Sequence, residues 1–200
     1  MKRYVLALVV VAAVSLSGAE QVGTVSGQGI TLRGAPVPGA AESLPVVSGD
    51  EIVTGAQAGT LTLPGNSVIT LGANSQIWPE LQKGQTVICL AKGSLQFRAA
   101  AGSRITICAL GRPVVLEPGS EGTVTIEGPD RVYAKATVGA VRVQEGATCG
   151  CVAMPAAHRK GWTGKKVAVV VGVAGGAAAG TAIGIAVAGG PAAPVSPSKP

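Results

Sequence analysis

The side chains able to do chemistry in this 200-residue chain are few and scattered: one histidine, His158, two aspartates, Asp50 and Asp130, eight glutamates and four cysteines. His158 opens a basic, glycine-containing run over 158–166, where an imidazole is solvated or interfacial rather than poised as a base. Asp50 and Asp130 each sit beside a Gly or Pro in a turn-like context, and the glutamates show no paired spacing. No nucleophile–base pair, paired carboxylates or metal-ligand cluster can be read along the chain. With a single His and no Cys-x-x-Cys pair, a metal site is not expected. The chain is therefore expected to be non-enzymatic and to need no cofactor.

The cysteines, Cys89, Cys108, Cys149 and Cys151, acquire meaning from the N-terminus. Lys2 and Arg3 precede an apolar run over 4–14, and Ser17-Gly18-Ala19 supplies small residues for cleavage before Glu20. That run is shorter than the ~20 residues a bilayer span needs. Residues 1–19 therefore read as a secretory signal, with export to a periplasmic or other extracytoplasmic face. Disulfides persist in such a compartment. Three full pairings are open from sequence; the preferred one joins Cys89 to Cys108, both in strand-like segments. Cys149 and Cys151, one residue apart, could bridge each other only as a strained small ring.

The net charge of +6 could suggest a nucleic-acid partner, but its placement argues otherwise. Between Glu20 and Ala157 there are nine Lys/Arg and ten Asp/Glu, about −1 in balance. The excess lies in Lys2, Arg3, Arg159, Lys160, Lys165, Lys166 and Lys199, beside apolar flanks. That distribution suits a membrane surface and excludes a basic nucleic-acid stripe from the body. Aromatic residues make up only 2% of the chain, so the side chains that commonly line sugar, base or drug-like sites are scarce. Trp78 suits either an exposed contact or a core plug, and Trp162 beside Lys165 and Lys166 fits a membrane-interface belt.

The elements that would position these residues are strands. Thr60-Leu61-Thr62-Leu63, Ser94-Leu95-Gln96-Phe97-Arg98, Thr123-Val124-Thr125-Ile126-Glu127 and Ala140-Val141-Arg142-Val143-Gln144 alternate with period two. Turn residues separate them at Pro64-Gly65-Asn66, Gly72-Ala73-Asn74, Ala101-Gly102-Ser103, Glu117-Pro118-Gly119 and Gly128-Pro129-Asp130. Residues 20–148 therefore read as an all-β domain, a short-stranded solenoid or sandwich. A basic linker (149–166) follows, then an uncharged segment (167–189) and a Pro-rich tail (190–200).

The uncharged segment reads as one Gly/Ala-rich membrane helix, ~33 Å long over 167–188 at ~1.5 Å per residue. Gly172, Gly176, Gly180 and Gly184 recur every four residues and would lie on one helix face. Such a stripe lets two helices approach closely in lipid, so the partner would be the membrane and either another envelope protein or a second copy. The basic cluster ahead of the helix then falls on the outer side, against the positive-inside tendency.

Ser48-Gly49-Asp50-Glu51-Ile52-Val53-Thr54-Gly55, followed by Gly59-Thr60-Leu61-Thr62-Leu63, Val68-Ile69-Thr70-Leu71 and Ser75-Gln76-Ile77, resembles the FecR domain family. That family carries a Gly-Asp-x-[Ile/Val]-x-Thr core ahead of alternating strands. Gly93-Ser94-Leu95-Gln96-Phe97 and Gly139-Ala140-Val141-Arg142-Val143 look like its later pattern, so the resemblance covers roughly 21–146. A departure is Pro64-Gly65-Asn66, where the family has Asp-Gly-Ser. The resemblance implies an extracytoplasmic β domain in which Gly49, Asp50 and Thr54 hold structure. The family's regulatory role needs an anti-sigma segment ahead of a membrane helix, which the expected organisation does not provide, and fold analogy alone assigns no function. The expectation is a membrane-tethered, non-catalytic binding or scaffolding module. The alternative is an envelope signalling component that acts through its glycine stripe.

Overall fold

The computed structural model describes residues 20–39, 42–144, 146–152, 154–155 and 168–173. The signal segment, His158, Trp162, Gly176, Gly180, Gly184 and the Pro-rich tail lie outside them. Sixteen strands form among the described residues. The first five are β1 (Gln21–Ser26), β2 (Ile30–Leu32), β3 (Ala35–Pro36), β4 (Leu44–Val47) and β5 (Ile52–Thr54). Next come β6 (Gly59–Thr62), β7 (Val68–Leu71), β8 (Gln76–Gln82), β9 (Gln85–Lys92) and β10 (Ser94–Arg98). The chain continues with β11 (Ile105–Ala109), β12 (Arg112–Leu116), β13 (Glu121–Glu127), β14 (Arg131–Val138), β15 (Val141–Val143) and β16 (Ala168–Val173).

The strands divide into two eight-stranded sheets. The first runs β16-β14-β13-β10-β7-β6-β1-β4 and the second β15-β12-β11-β9-β8-β5-β2-β3. Period-two alternation drives the pairing: Leu61, Ile69, Leu71, Leu95, Phe97 and Val124 of the first sheet turn inward. They meet Ile52, Ile77, Ile88, Leu90, Ile107 and Val114 of the second in one aliphatic core. Each fully buried side chain of this size contributes about 1.5–3 kcal/mol, so the fold rests on aliphatic burial with little aromatic help. For the described residues the all-β expectation holds, and the arrangement is two facing sheets.

The chain changes sheet repeatedly, and one crossover has a consequence for the cysteines. Between β9 and β11 the chain visits the first sheet as β10, so β9 and β11 lie side by side in parallel. Their register sets Cys89 against Cys108, both on the outward side of the second sheet. Adjacent in-register side chains point the same way rather than toward each other, which leaves both sulfurs free to meet partners from above.

The start of the expected membrane helix is a strand instead. β16 pairs in parallel with β14, Arg131 opposite Ala168 through Ala136 opposite Val173. Two physical causes combine: Val169-Val170-Val171 is β-branched, which favours extended backbone, and β14 at the sheet edge offers unpaired amides and carbonyls. Gly172 therefore sits in a strand, opposite Lys135, and the rest of the expected helix falls outside the described residues. Among the described residues no helix is long and apolar enough to cross a membrane.

Candidate functional site

The Gly-Asp-x-Ile-x-Thr stretch builds a buried polar knot. Gly49 adopts φ 92°, a conformation that favours glycine, and its N–H donates to the Pro79 carbonyl at 2.8 Å. That turn aims the Asp50 carboxylate back at the chain, where Oδ2 accepts the Val47 N–H at 2.8 Å. Arg33 closes the other side: Nε donates to Oδ1 at 2.6 Å and Nη2 to Oδ2 at 2.7 Å. Asp50 is 8% exposed at its side chain and Arg33 54%, so the carboxylate is the anchored member. The hydrogen bond from Arg33 and the carboxylate's charge push the guanidinium further above its ordinary pKa. Asp50→Ala, which strands the Val47 N–H, is expected to cost about 2 kcal/mol in urea unfolding, and Arg33→Ala, at a solvent-screened guanidinium, clearly less. Equal losses for the two would mean that the ion pair, and not the backbone bond, carries the turn.

Thr54 works at the crossover. Its hydroxyl donates to the Gly72 carbonyl at 2.6 Å and accepts the Ser75 N–H at 2.8 Å. Ser75 repeats the pattern, donating to the Ser94 carbonyl at 2.8 Å and accepting the Ser94 N–H at 3.0 Å. Gly72 and Ser94 belong to the first sheet's side, Thr54 and Ser75 to the second's. Where the chain leaves one sheet for the other, backbone groups lose their ladder partners, and buried hydroxyls replace them. Among the described residues every buried side-chain nitrogen or oxygen has a hydrogen-bond partner.

The second constellation joins residues far apart in sequence. Cys89 is bonded to Cys151 and Cys108 to Cys149, with Cα separations of 6.0 and 5.9 Å. This replaces the preferred Cys89–Cys108 pairing. In an extended segment, residues two apart face the same side, so Cys149-Gly150-Cys151 presents both sulfurs to the adjacent strands β9 and β11. The segment over 149–152, with Met154, expected to belong to the basic linker, is thus a strap fixed to the domain. It seals a small outer core of Trp78, Val87, Cys89, Cys108, Cys151 and Met154, in which Met154 is 0% exposed. Trp78 is the core plug of the two readings its sequence allowed.

Glu80 tightens the strap. It is 3% exposed, and its Oε2 accepts the Val152 N–H at 3.1 Å and the Gln82 Nε2 at 2.7 Å. Gln82 Nε2 also donates to the Gly150 carbonyl at 3.1 Å, and the Cys149 N–H donates to the Gly111 carbonyl at 3.1 Å. Sequence reasoning passed over Glu80 and Arg33 because neither has a local motif. The Cys-x-Cys spacing did carry a signal, that two sulfurs share one face, but not which strands lay beneath.

The outer face of the first sheet has no such cover from the described residues. Cross-strand register places Ser26, Thr60, Thr70, Gln96, Thr123 and Lys135 in one row over six strands. Beside that row, Arg98 Nε meets Glu121 Oε1 at 2.8 Å, both side chains more than a third exposed. Thr70, Gln96, Arg98, Glu121, Thr123 and Thr137, together with Val68, Phe97 and Gly122, line a shallow depression of about 420 Å³.

These features define a two-sheet β module with a disulfide-fastened strap over one face and an open face rich in hydroxyl and amide groups. No protein-family model, curated protein or solved structure matches the chain.

Proposed function

We propose that the chain is an exported, non-catalytic FecR-like binding module that presents the outer face of its first sheet to another envelope component and is held at a membrane by its C-terminal segment. The observation that carries this reading is the contrast between the two outer faces: one carries a small core sealed by the strap, and the other displays a cross-strand row of Thr, Ser and Gln around the Arg98–Glu121 pair. Such a face offers many directional hydrogen bonds, which suits a polar protein surface or polymer. Two disulfides within one small domain support an oxidising compartment. The FecR-like reading is supported by the parts played by Gly49, Asp50 and Thr54, a tight turn and a crossover clamp.

The tether has a geometric condition. With β16 in place, a helix over 174–189 would reach only ~24 Å at ~1.5 Å per residue, against ~30 Å of hydrocarbon. A spanning helix therefore requires β16 to leave the sheet edge. Fractionation of the full chain beside a version ending at Lys160 tests the tether. The full chain is expected in the pellet after high-salt and alkaline washes, with the shortened chain soluble. The soluble version then serves as bait in envelope extract, where Thr70→Lys with Thr123→Lys should abolish capture. A washable full chain would overturn the tether, and capture unchanged by the two lysines would overturn the assignment of the face.

A further inference from the structure

The outer core beneath the strap brings together a donor set that its disulfide conceals. Glu80, Cys89 and Cys151 are 3%, 0% and 2% exposed, and one carboxylate oxygen and the two sulfurs lie within 4.8 Å of one another. Strand pairing sets Trp78 opposite Cys89 and Glu80 opposite Val87, so Glu80 and Cys89 are diagonal neighbours on one face. Glu80 Oε1 stands 3.8 Å from the Cys89 sulfur, while Oε2 is held by Gln82 Nε2 and the Val152 N–H. The carboxylate is thus oriented by one neighbour on its own strand and one on the strap.

We propose that, once the Cys89–Cys151 disulfide is opened, Cys89, Cys151 and Glu80 form a binding site for a thiophilic divalent cation of the Zn²⁺ class. Opening transfers two electrons and two protons from a dithiol reductant, which becomes a cyclic disulfide, to the two sulfurs. The ion then displaces both thiol protons to solvent and bonds the two thiolates and the Glu80 carboxylate, with water in the fourth position. Zinc holds thiolate sulfur at about 2.3 Å and carboxylate oxygen at about 2.0–2.2 Å, so two thiolates on one tetrahedral ion stand about 3.8 Å apart. Released sulfurs separate to about that contact distance, and Cys151 rides on the strap, which can take up the change. Gln82 and the Val152 N–H would hold the ligating carboxylate from behind, as outer partners do in metal sites. The ion gives the strap a second closure, one that keeps Trp78 and Met154 covered when the thiols are reduced.

The test uses the full chain, reduced with a phosphine under anaerobic conditions and titrated with Co²⁺ as a spectroscopic stand-in, then with Zn²⁺. One Co²⁺ per chain is expected, with thiolate charge-transfer and tetrahedral ligand-field absorption that Zn²⁺ abolishes; the oxidised chain should show neither. Cys108→Ser with Cys149→Ser should retain the spectrum. Cys151→Ser should lose it, and Glu80→Gln should weaken binding at least ~10-fold. Far-UV circular dichroism of each reduced variant confirms the sheets before titration. The proposal is overturned if the reduced chain binds no stoichiometric ion, if Glu80→Gln binds as tightly as the parent, or if the Cys108/Cys149 double variant loses the site.

Discussion

Replacing all four cysteines by alanine is expected to remove about 7 kcal/mol of stability, enough to bring a domain of this size close to unfolding. The Cys89–Cys151 bond closes a sequence separation of 62, worth about 4 kcal/mol in the chain-entropy account. Cys108–Cys149 spans 41 residues but shares most of that ring. Once the first bond is closed, the second adds a ring running only over 89–108 and 149–151, about 3 kcal/mol more. The reduced chain also loses its hold on the strap, and with it the cover over Trp78 and Val87. Urea unfolding of the parent, oxidised and reduced with a chelator present, checks the figure beside the four-alanine variant. Midpoints that coincide would show that the outer core holds without its staples. A large drop would place the strap among the structural elements of the fold.

Thr54→Val, a change of one buried hydroxyl, is expected to cost about 3 kcal/mol. Valine matches threonine in shape, so no cavity opens, and the loss is confined to the hydroxyl. That hydroxyl serves both the Gly72 carbonyl and the Ser75 N–H. Thr54 is 2% exposed and Ser75 fully buried, so water does not replace it at the Ser75 N–H. Each orphaned buried group costs about 1–3 kcal/mol. Thr54→Ser, which keeps the hydroxyl, should lose no more than about 1 kcal/mol, chiefly its methyl burial. Chemical denaturation of the three proteins decides the matter. A valine variant within about 0.5 kcal/mol of the parent would mean that the crossover relaxes and re-pairs its backbone.

Much of the architecture could be read along the chain because strand alternation is a local property. Leu61 and Leu95 announce an inward face through their polar neighbours, and the turns at Pro64-Gly65-Asn66 and Glu117-Pro118-Gly119 punctuate the strands where expected. The turn role of Gly49-Asp50 was legible for the same reason. Arg33 was not, because its partner is 17 residues away and the ion pair depends on how β2 and β5 register. The segment over 168–173 misled in a different way. An uncharged run of Val, Ala and Gly satisfies the composition of both a membrane span and an edge strand, and only the vacant side of β14 distinguishes them.

By itself, the sequence determined that this protein is built of short strands around an aliphatic core, that its body is nearly neutral, and that its candidate acid, base and nucleophilic groups form no local motif. Each of these follows from side-chain type and period, which neighbours in the chain impose on one another. The tertiary structure alone decided that the chain leaves the second sheet for the first as β10 and lets β9 and β11 lie in parallel, setting Cys89 beside Cys108 and turning both toward the strap. It also placed Glu80 against the Cys89–Cys151 sulfurs, from 9 and 71 residues away along the chain (89 − 80 and 151 − 80). Such meetings arise from the order in which strands enter two sheets, which no local pattern encodes.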